Sequence, residues 1–186
     1  MTTLEHALLC SSDLLGVGLD SSELGFPPAG FREVFERARS EGLHAVAHAG
    51  EEGPPQYIKE ALDILNVERI DHGVRCLEDP VLVGRLRSEQ IPLTVCPLSN
   101  IKLKVFPGMG DHNIAAMDSA GLYVTINSDD PAYFGGYINE NFAAVQRAFD
   151  LDQAALVQYA IRSVDASFAP DTRKSALREE IIQATS

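Results

Sequence analysis

The 186-residue sequence has no apolar run of the ~18–20 residues that cross a bilayer, so it gives no sign of a membrane partner. Basic residues are scarce, with 15 Lys and Arg against 27 Asp and Glu and a net charge of −12. A surface of that sign repels phosphate backbones, which argues against nucleic-acid polymers and leaves small neutral ligands open. The first twelve residues hold an acid and no Lys or Arg, unlike a secretory signal, so we expect a cytoplasmic protein.

Cysteine is also scarce, and its spacing excludes two kinds of site. Cys10, Cys76 and Cys96 lie far apart and form no CxxC, so neither a disulfide framework nor a thiolate zinc site is indicated. We expect all three to be small, at least half-buried hydrophobes. No linker or low-complexity stretch divides the chain, and its 45% hydrophobic content is ordinary for a globular protein, so we predict a single domain over residues 1–186.

What the sequence does contain is a repeated alternation of a short apolar strand and an amphipathic helix. The strand candidates start about 25–30 residues apart, which is the length of a βα unit. Runs such as LTVC suit strands of a parallel sheet that is buried on both faces. The five candidates are Leu14–Asp20, Ala45–Glu51, Arg69–Gly73, Leu93–Ser99 and Tyr123–Asp130.

Apolar residues at helical spacing follow each strand candidate. Asp79 before Pro80 is typical of an N-cap with proline in the first turn, and Gly42 and Gly121 are placed to end two helices. Helix alone is predicted after the fifth strand. The apolar sets are Phe31, Val34, Phe35 and Ala38; Ile58, Ala61, Leu62 and Leu65; Ile114 and Met117; Phe142, Val145 and Phe149; Leu156, Val157, Ala160 and Ile161; a last helix runs from Pro170 to about Gln183.

This alternation leaves two architectures, an open doubly wound sheet and a (β/α)8 barrel. The polar residues at the strand ends separate them, because an open sheet uses mainly the ends beside its switch point. Here every strand candidate ends in polar groups, and successive ends that converge on one site are typical of a barrel. These groups are Asp20 and Glu23, His48 and Glu51, His72, Ser99 and Asn100, and Asp129 and Asp130.

Three of these strand ends carry groups that suit metal chemistry. His48 in HAGEEGPP can ligate zinc, and Glu51 reaches the same cavity from the following loop. His72 in IDHG follows one βα unit later. A lone histidine is more often structural than a ligand. Near His48, however, the small neighbouring residues leave room for a ligand to approach. NSDDP places Asp129 beside Asp130, and adjacent carboxylates repel unless a cation or a substrate proton offsets them. The alternative is an aspartate that caps the turn before a proline.

HAGE, HG and NSDDP, in this order and spacing, resemble the adenosine/adenine deaminase family of metal-dependent amidohydrolase barrels. The resemblance runs from about Val17 to Phe168, and DSSELGFPP and DDPAYFGGY are similar to the adenine deaminase branch. It implies an α/β fold, a partial (β/α)8 TIM-type barrel with about strands four to eight and their helices. It also implies zinc-dependent hydrolysis of adenine to hypoxanthine and ammonia in purine salvage, with adenosine deamination as the alternative.

The resemblance also implies roles for single residues. His48 and Asp129 would be ligands of one Zn²⁺ per site, and His72 and Asp129 would orient and deprotonate the attacking water. Glu51 would protonate N1 of the purine, since attack at C6 moves electrons onto N1 and burial can raise the pKa of a carboxyl enough to hold that proton.

The remaining roles concern the purine substrate. Asp130 would hydrogen-bond N7, and Ser22 and Glu23 would contact the other edge of the base. We expect the aromatic loop at residues 133–137 to fill the N9 side, where a ribose would project. The HxE…PCxxC signature of cytidine-type deaminases is absent.

Two departures from the family pattern qualify these expectations. The family takes two further zinc ligands from an HxH at its first strand, whereas His6, His44 and His112 are isolated here and are expected to be structural or exposed. Five strands of eight are present, so we expect a truncated product or a chain whose N-terminal half is supplied by another, with self-association through open sheet edges. The rival hypotheses are a catalytically inert fragment and a metal hydrolase of the same superfamily acting on a different ring; NSDDP and the HAGE glutamate disfavour the latter.

Overall fold

The computed structural model describes residues 2–9 and 14–185, and Cys10 lies outside these ranges. The chain divides into two compact units, Met1–Arg85 and Leu86–Ser186. The single domain expected from the sequence therefore stays a prediction. In the described ranges, no helix combines the length and the apolar character that crossing a membrane requires.

A parallel sheet organises the first unit. Its register pairs Leu19 with Ala47 and Ala49 with His72, so the carboxyl ends of the second and third strands lie side by side. The strands are β1 (Gly16–Leu19), β2 (His44–Ala49) and β3 (Arg69–His72). Alternate side chains of β2 face opposite sides of the sheet. The alanines of one side are fully buried, which puts His48 on the other, half-buried side.

Helices cover this sheet, and two local features explain where one of them begins and where another ends. Asp79 accepts hydrogen bonds from Val81 N (3.0 Å) and Leu82 N (3.1 Å), which confirms the predicted N-cap. Gly42 follows the second helix with φ +80°, a conformation that glycine adopts without strain. The helices are α1 (Thr2–Leu8), α2 (Arg32–Ser40) after a 3₁₀ turn at Pro28–Phe31, α3 (Pro55–Glu60) continuing as a π-helix at Ala61–Leu65, a 3₁₀ turn at Val74–Glu78, and α4 (Pro80–Glu89).

The second unit pairs two parallel strands, β4 (Pro92–Val95) and β5 (Tyr123–Ile126). Helix α9 packs against β5, and α10 packs against α9. The helices of this unit are α5 (Pro97–Lys102), α6 (Ile114–Ser119), α7 (Pro131–Phe134), α8 (Ile138–Phe149), α9 (Gln153–Asp165) and α10 (Asp171–Ala184), with a 3₁₀ turn at Met109–Asp111.

The predicted strands and the long helices are confirmed, but the fourth and fifth strands end earlier than predicted, at Val95 and Ile126. The fourth strand was expected to reach Ser99, whereas α5 begins at Pro97, where the fixed φ of proline suits a first helical turn. The aromatic segment expected as a loop begins instead with the short helix α7 (Pro131–Phe134), which also starts with a proline. Helix α1 was not predicted; its Leu4 packs with Ala38 and Leu43 in a small core cluster.

Candidate active site

The carboxyl end of β2 turns sharply into the loop that carries Glu51. Gly50 has φ +76°, which a residue with a Cβ rarely adopts. A Cβ at this position would also lie 2.5 Å from Cδ1 of the fully buried Ile58. Only glycine fits both demands, and the turn directs Glu51 inward, where 6% of its surface is exposed.

His72 ends β3 in an unusual backbone conformation. Its φ of +64° is uncommon for a residue with a side chain, and such strain often marks functional positions. The His72 side chain is almost completely buried, and its ring meets the ring of His48 edge-on with the centroids 4.5 Å apart. The two histidines predicted at neighbouring strand ends are therefore in direct contact.

Glu51 completes a compact group with these histidines. Its Oε1 lies 3.2 Å from Nδ1 of His72, and ligand atoms of His48, Glu51 and His72 all lie within 4.8 Å of one another. Burial and the neighbouring His48 lower the pKa of His72 to about 3, although the nearby Asp20 acts in the opposite direction and raises it. A neutral imidazole keeps a lone pair on one ring nitrogen, so the donor types and spacing of the group fit a metal ion such as zinc.

A cavity of about 230 Å³ opens beside His48 in the same unit. Ser22 and Glu23, the two residues expected to contact the base, both line it, and so does Asp20. Asp20 Oδ1 lies 3.3 Å from His48 Nε2. The sequence did not predict this contact; its only signal was the position of Asp20 at the end of a strand candidate. Apart from Ser21, the rest of the lining is aromatic or apolar: Leu19, Phe26, Pro28, Phe31 and Tyr57.

Asp129 and Asp130 lie in the second unit, three and four residues after the end of β5, and both are exposed. Asp129 has φ +57°; its Oδ2 accepts a hydrogen bond from Ser99 Oγ (2.7 Å) and its Oδ1 from Asp130 N (2.8 Å). Asp130 Oδ1 accepts from Tyr133 N (3.2 Å) and so caps α7. Both acids are thus held by local donors. Ser99 is one of these donors, and the sequence had assigned it no role beyond its place at a strand end.

The three isolated histidines are structural or exposed, as expected. His6 is exposed on α1. His44 lies 2.9 Å from Glu68 Oε1 on the surface. His112 is buried: its Nδ1 accepts from Ile114 N (3.0 Å), so Nε2 carries the proton and donates to Asn100 Oδ1 (3.1 Å).

Comparisons with known proteins agree with this arrangement. The family model "Adenosine deaminase" matches residues 3–184, and the chain belongs to that family. Over 181 residues the chain is 58% identical to the adenine deaminase of Acinetobacter baylyi, which covers 97% of this chain and 54% of that relative. The chain spans about half the length of the curated relatives it matches.

Solved structures confirm the predicted fold class. The crystal structure of an adenine deaminase from Arthrobacter aurescens is 47% identical, with a TM-score of 0.96 over 98% of this chain and 56% of that chain. An amidohydrolase from Burkholderia ambifaria, solved with bound Zn, is 26% identical, with a TM-score of 0.91 over 99% of this chain and 52% of that chain. The chain has an α/β fold that corresponds to part of these amidohydrolase barrels.

Proposed function

We propose that this chain takes part in the zinc-dependent hydrolytic deamination of adenine to hypoxanthine and ammonia, within purine salvage. The observation that carries the proposal is the group formed by half-buried His48 with buried Glu51 and His72, which sets two imidazoles and a carboxyl within 4.8 Å of one another in a member of the adenosine deaminase family. The cytoplasmic location expected from the sequence stays a prediction.

Zinc is the metal that these donors suit, and we propose His48 and Asp129 as the ligands that this chain supplies. Two further ligands, from an HxH outside this chain, would complete a four-coordinate site, since zinc in proteins is usually tetrahedral. Zinc bound there would supply hydroxide at neutral pH, because zinc lowers the pKa of bound water to about 7. His72 and Asp129 then orient the attacking oxygen and accept its proton.

Glu51 is the proposed proton donor to N1 of the purine. Attack at C6 moves an electron pair onto N1, and a proton placed there removes the developing negative charge. The burial of Glu51 supports the role, because a carboxyl withdrawn from water favours its uncharged form. Asp130 accepts a hydrogen bond at N7 in this proposal.

The lining of the cavity supports a free base as the substrate. Phe26, Phe31 and Tyr57 offer flat apolar surfaces to a purine ring, whereas a pocket for ribose needs polar partners for the hydroxyls, because buried unpaired polar groups each cost about 1–3 kcal/mol. The aromatic residues at 133–137 would fill the N9 side; Tyr133 and Tyr137 are exposed in the second unit. Adenosine deamination is the second candidate and is favoured only by family membership.

The test measures ammonia release from adenine and from adenosine by the 186-residue chain with zinc added. One arm uses the chain alone, and a second adds a separately produced segment with three βα units and an HxH. We expect the chain alone to self-associate and to show little activity. With the added segment we expect adenine turnover. Adenosine preferred in kcat/KM would overturn the substrate assignment. No turnover in either arm would favour the inert fragment, and turnover by a monomeric chain alone would refute the need for further ligands.

A further inference from the structure

Glu23 lies in the segment that follows β1, and its carboxylate is turned toward the loop that follows β2. Oε2 accepts hydrogen bonds from Gly50 N (2.9 Å) and Gly53 N (2.7 Å), and Oε1 accepts from Glu51 N (3.1 Å). The Glu23 side chain is 6% exposed, so these bonds replace most of its hydration. One buried carboxylate therefore holds three backbone N–H groups of the loop that carries the proposed acid.

The loop is shaped to receive this carboxylate. The positive φ of Gly50 turns successive N–H groups toward one point, as in the backbone nests that bind anions. A Cβ at Gly53 would lie 2.6 Å from Glu23 Oε2 and 2.6 Å from Cδ2 of Tyr57. Glycine at position 53 is thus needed for the carboxylate to approach the backbone.

Arg75 holds the same loop through different atoms. Its Nη1 donates to Glu52 O (2.7 Å), and its backbone N donates to Gly50 O (2.9 Å). Glu23 accepts hydrogen bonds from the N–H groups of Gly50, Glu51 and Gly53, and Arg75 donates to two carbonyl groups of the same loop, so the backbone has little freedom to rotate. Glu51, between these contacts, projects toward Nδ1 of His72 at 3.2 Å.

We propose that Glu23 is a positioning residue for Glu51, rather than a contact to the base. An ionised carboxylate has about four acceptor sites, and three of them already serve the loop. By fixing the amide of Glu51, Glu23 sets the direction from which the Glu51 carboxyl meets N1. The inference rests on the proposed deamination, because the alignment of Glu51 matters only if Glu51 delivers a proton there.

The first test is Glu23→Gln, which changes one oxygen into an NH₂ group. In either orientation the amide places N–H against N–H, at Glu51 or at the pair Gly50 and Gly53. In the preparation that contains the added segment and deaminates adenine, we expect kcat for adenine to fall by up to about 10²-fold, the loss typical of a small misplacement of a catalytic group, with little change in KM. The matched control is Glu52→Gln, which makes the same chemical change on the exposed side chain next to Glu51 and leaves kcat unchanged.

Hydrogen exchange supplies a readout that needs no turnover. The amides of Gly50, Glu51 and Gly53 exchange faster in Glu23→Gln than in the wild-type chain, while core amides of β2 and β3 keep their protection. In Glu52→Gln all of them keep it. If Glu23→Gln fails to fold, Gly53→Ala replaces it, because its Cβ displaces the Glu23 carboxylate without removing it.

Several outcomes overturn the positioning role. A rise in KM with unchanged kcat and unchanged loop exchange would make Glu23 a substrate contact. Equal acceleration of all amides would make it a general stabiliser of the unit. If the wild type never deaminates adenine, the proposed function fails, yet the exchange measurement still decides whether Glu23 holds the loop.

Discussion

Polar groups follow the strands in both units, but the two units treat them in opposite ways. In the first unit Glu51 and His72 are buried at the ends of β2 and β3, and Glu23 holds the connecting loop through three backbone N–H groups. In the second unit Asp129 and Asp130 stand exposed after β5. The first unit organises its reactive groups with its own backbone, so their geometry depends on packing, whereas the second keeps its acids hydrated.

The difference also explains how two adjacent carboxylates are tolerated. Repulsion between Asp129 and Asp130 is weakened by water and by separate donors, since Ser99 binds the first and the start of α7 binds the second. Burial of both without these donors would be costly. Substitutions should therefore have large effects around the buried groups of the first unit and small effects around Asp129 and Asp130 in the second.

The largest expected effect is on Glu51. In a preparation that deaminates adenine, Glu51→Gln should lower kcat by about 10²–10⁴-fold, because the amide cannot deliver a proton to N1. Zinc stoichiometry should stay constant, which metal analysis of the same sample checks. Loss of zinc together with activity would make Glu51 a ligand instead of the acid. Glu51 does belong to a group of side chains that could hold a metal ion.

The glycines of the two units offer a matched test of packing. Gly50 and Gly135 both have φ +76°, but a Cβ at Gly50 would lie 2.5 Å from Ile58, whereas none of the described atoms lies within 4 Å of one at Gly135. Each change to alanine should cost about 1–2 kcal/mol for the left-handed backbone. Gly50→Ala should lose about a further 1–3 kcal/mol to overpacking.

The free energies of unfolding in urea, measured for both alanine variants, decide whether the first unit is the tighter one. Equal losses would mean that Ile58 moves aside without penalty, and the contrast between the units would then rest on hydrogen bonding alone. A larger loss for Gly135→Ala would reverse the contrast.

The sequence predicted the elements better than it predicted their ends. Strand positions followed from apolar runs, and the cap at Asp79 followed from its proline neighbour, because both signals are local. The sequence could not report that His72 takes φ +64°, since that conformation depends on the packing of its ring against His48. Helix α5 was missed because LTVCPLSN reads as one apolar run until Pro97 is weighed as a helix start.

The candidate site shows the same limit. The types of the groups at the strand ends identified His48, Glu51 and His72, and the structure brings these three together. The partners of the Glu23 carboxylate could not be predicted from the sequence, because they are backbone N–H groups, which almost every residue type carries. Gly50 and Gly53 in HAGEEG were the one sequence signal of a close approach to the backbone. Small residues at this place were interpreted only as space for a ligand.

A buried histidine of the second unit also departs from its ordinary pKa. Burial lowers the pKa of His112 to about 4, below its usual value of 6.5. The unfolded chain therefore binds a proton more readily, so the stability due to neutral His112 is fully present above pH 6.5 and is lost as the pH falls toward 4. The total loss is about 3 kcal/mol by the value of a pKa unit.

Urea unfolding at pH 7 and pH 4.5 measures this loss. In His112→Gln the fall in stability between the two pH values should be smaller than in the wild type, whereas His6→Gln, which changes an exposed histidine, should leave the fall unchanged. An identical pH dependence in all three proteins would show that His112 accepts a proton without a loss of stability. The interior of the second unit would then accept charge as easily as the exposed ends of its strands do.

The smallest expected effect on stability is at Ser99, where the buried hydroxyl meets the exposed Asp129. Ser99→Ala should lower the free energy of unfolding by about 0.5–1.5 kcal/mol, because water can replace the lost donor at the exposed carboxylate. Ser163→Ala is the control, since Ser163 Oγ donates to Tyr159 O (3.0 Å) within the same unit. Both variants should lose similar stability, but only Ser99→Ala should reduce kcat, because Asp129 with one donor fewer is less firmly held in its rotamer. Equal kcat in both would mean that Asp129 needs no local support, and a loss of several kcal/mol for Ser99→Ala alone would show that the acids of the second unit depend on packing as strongly as those of the first.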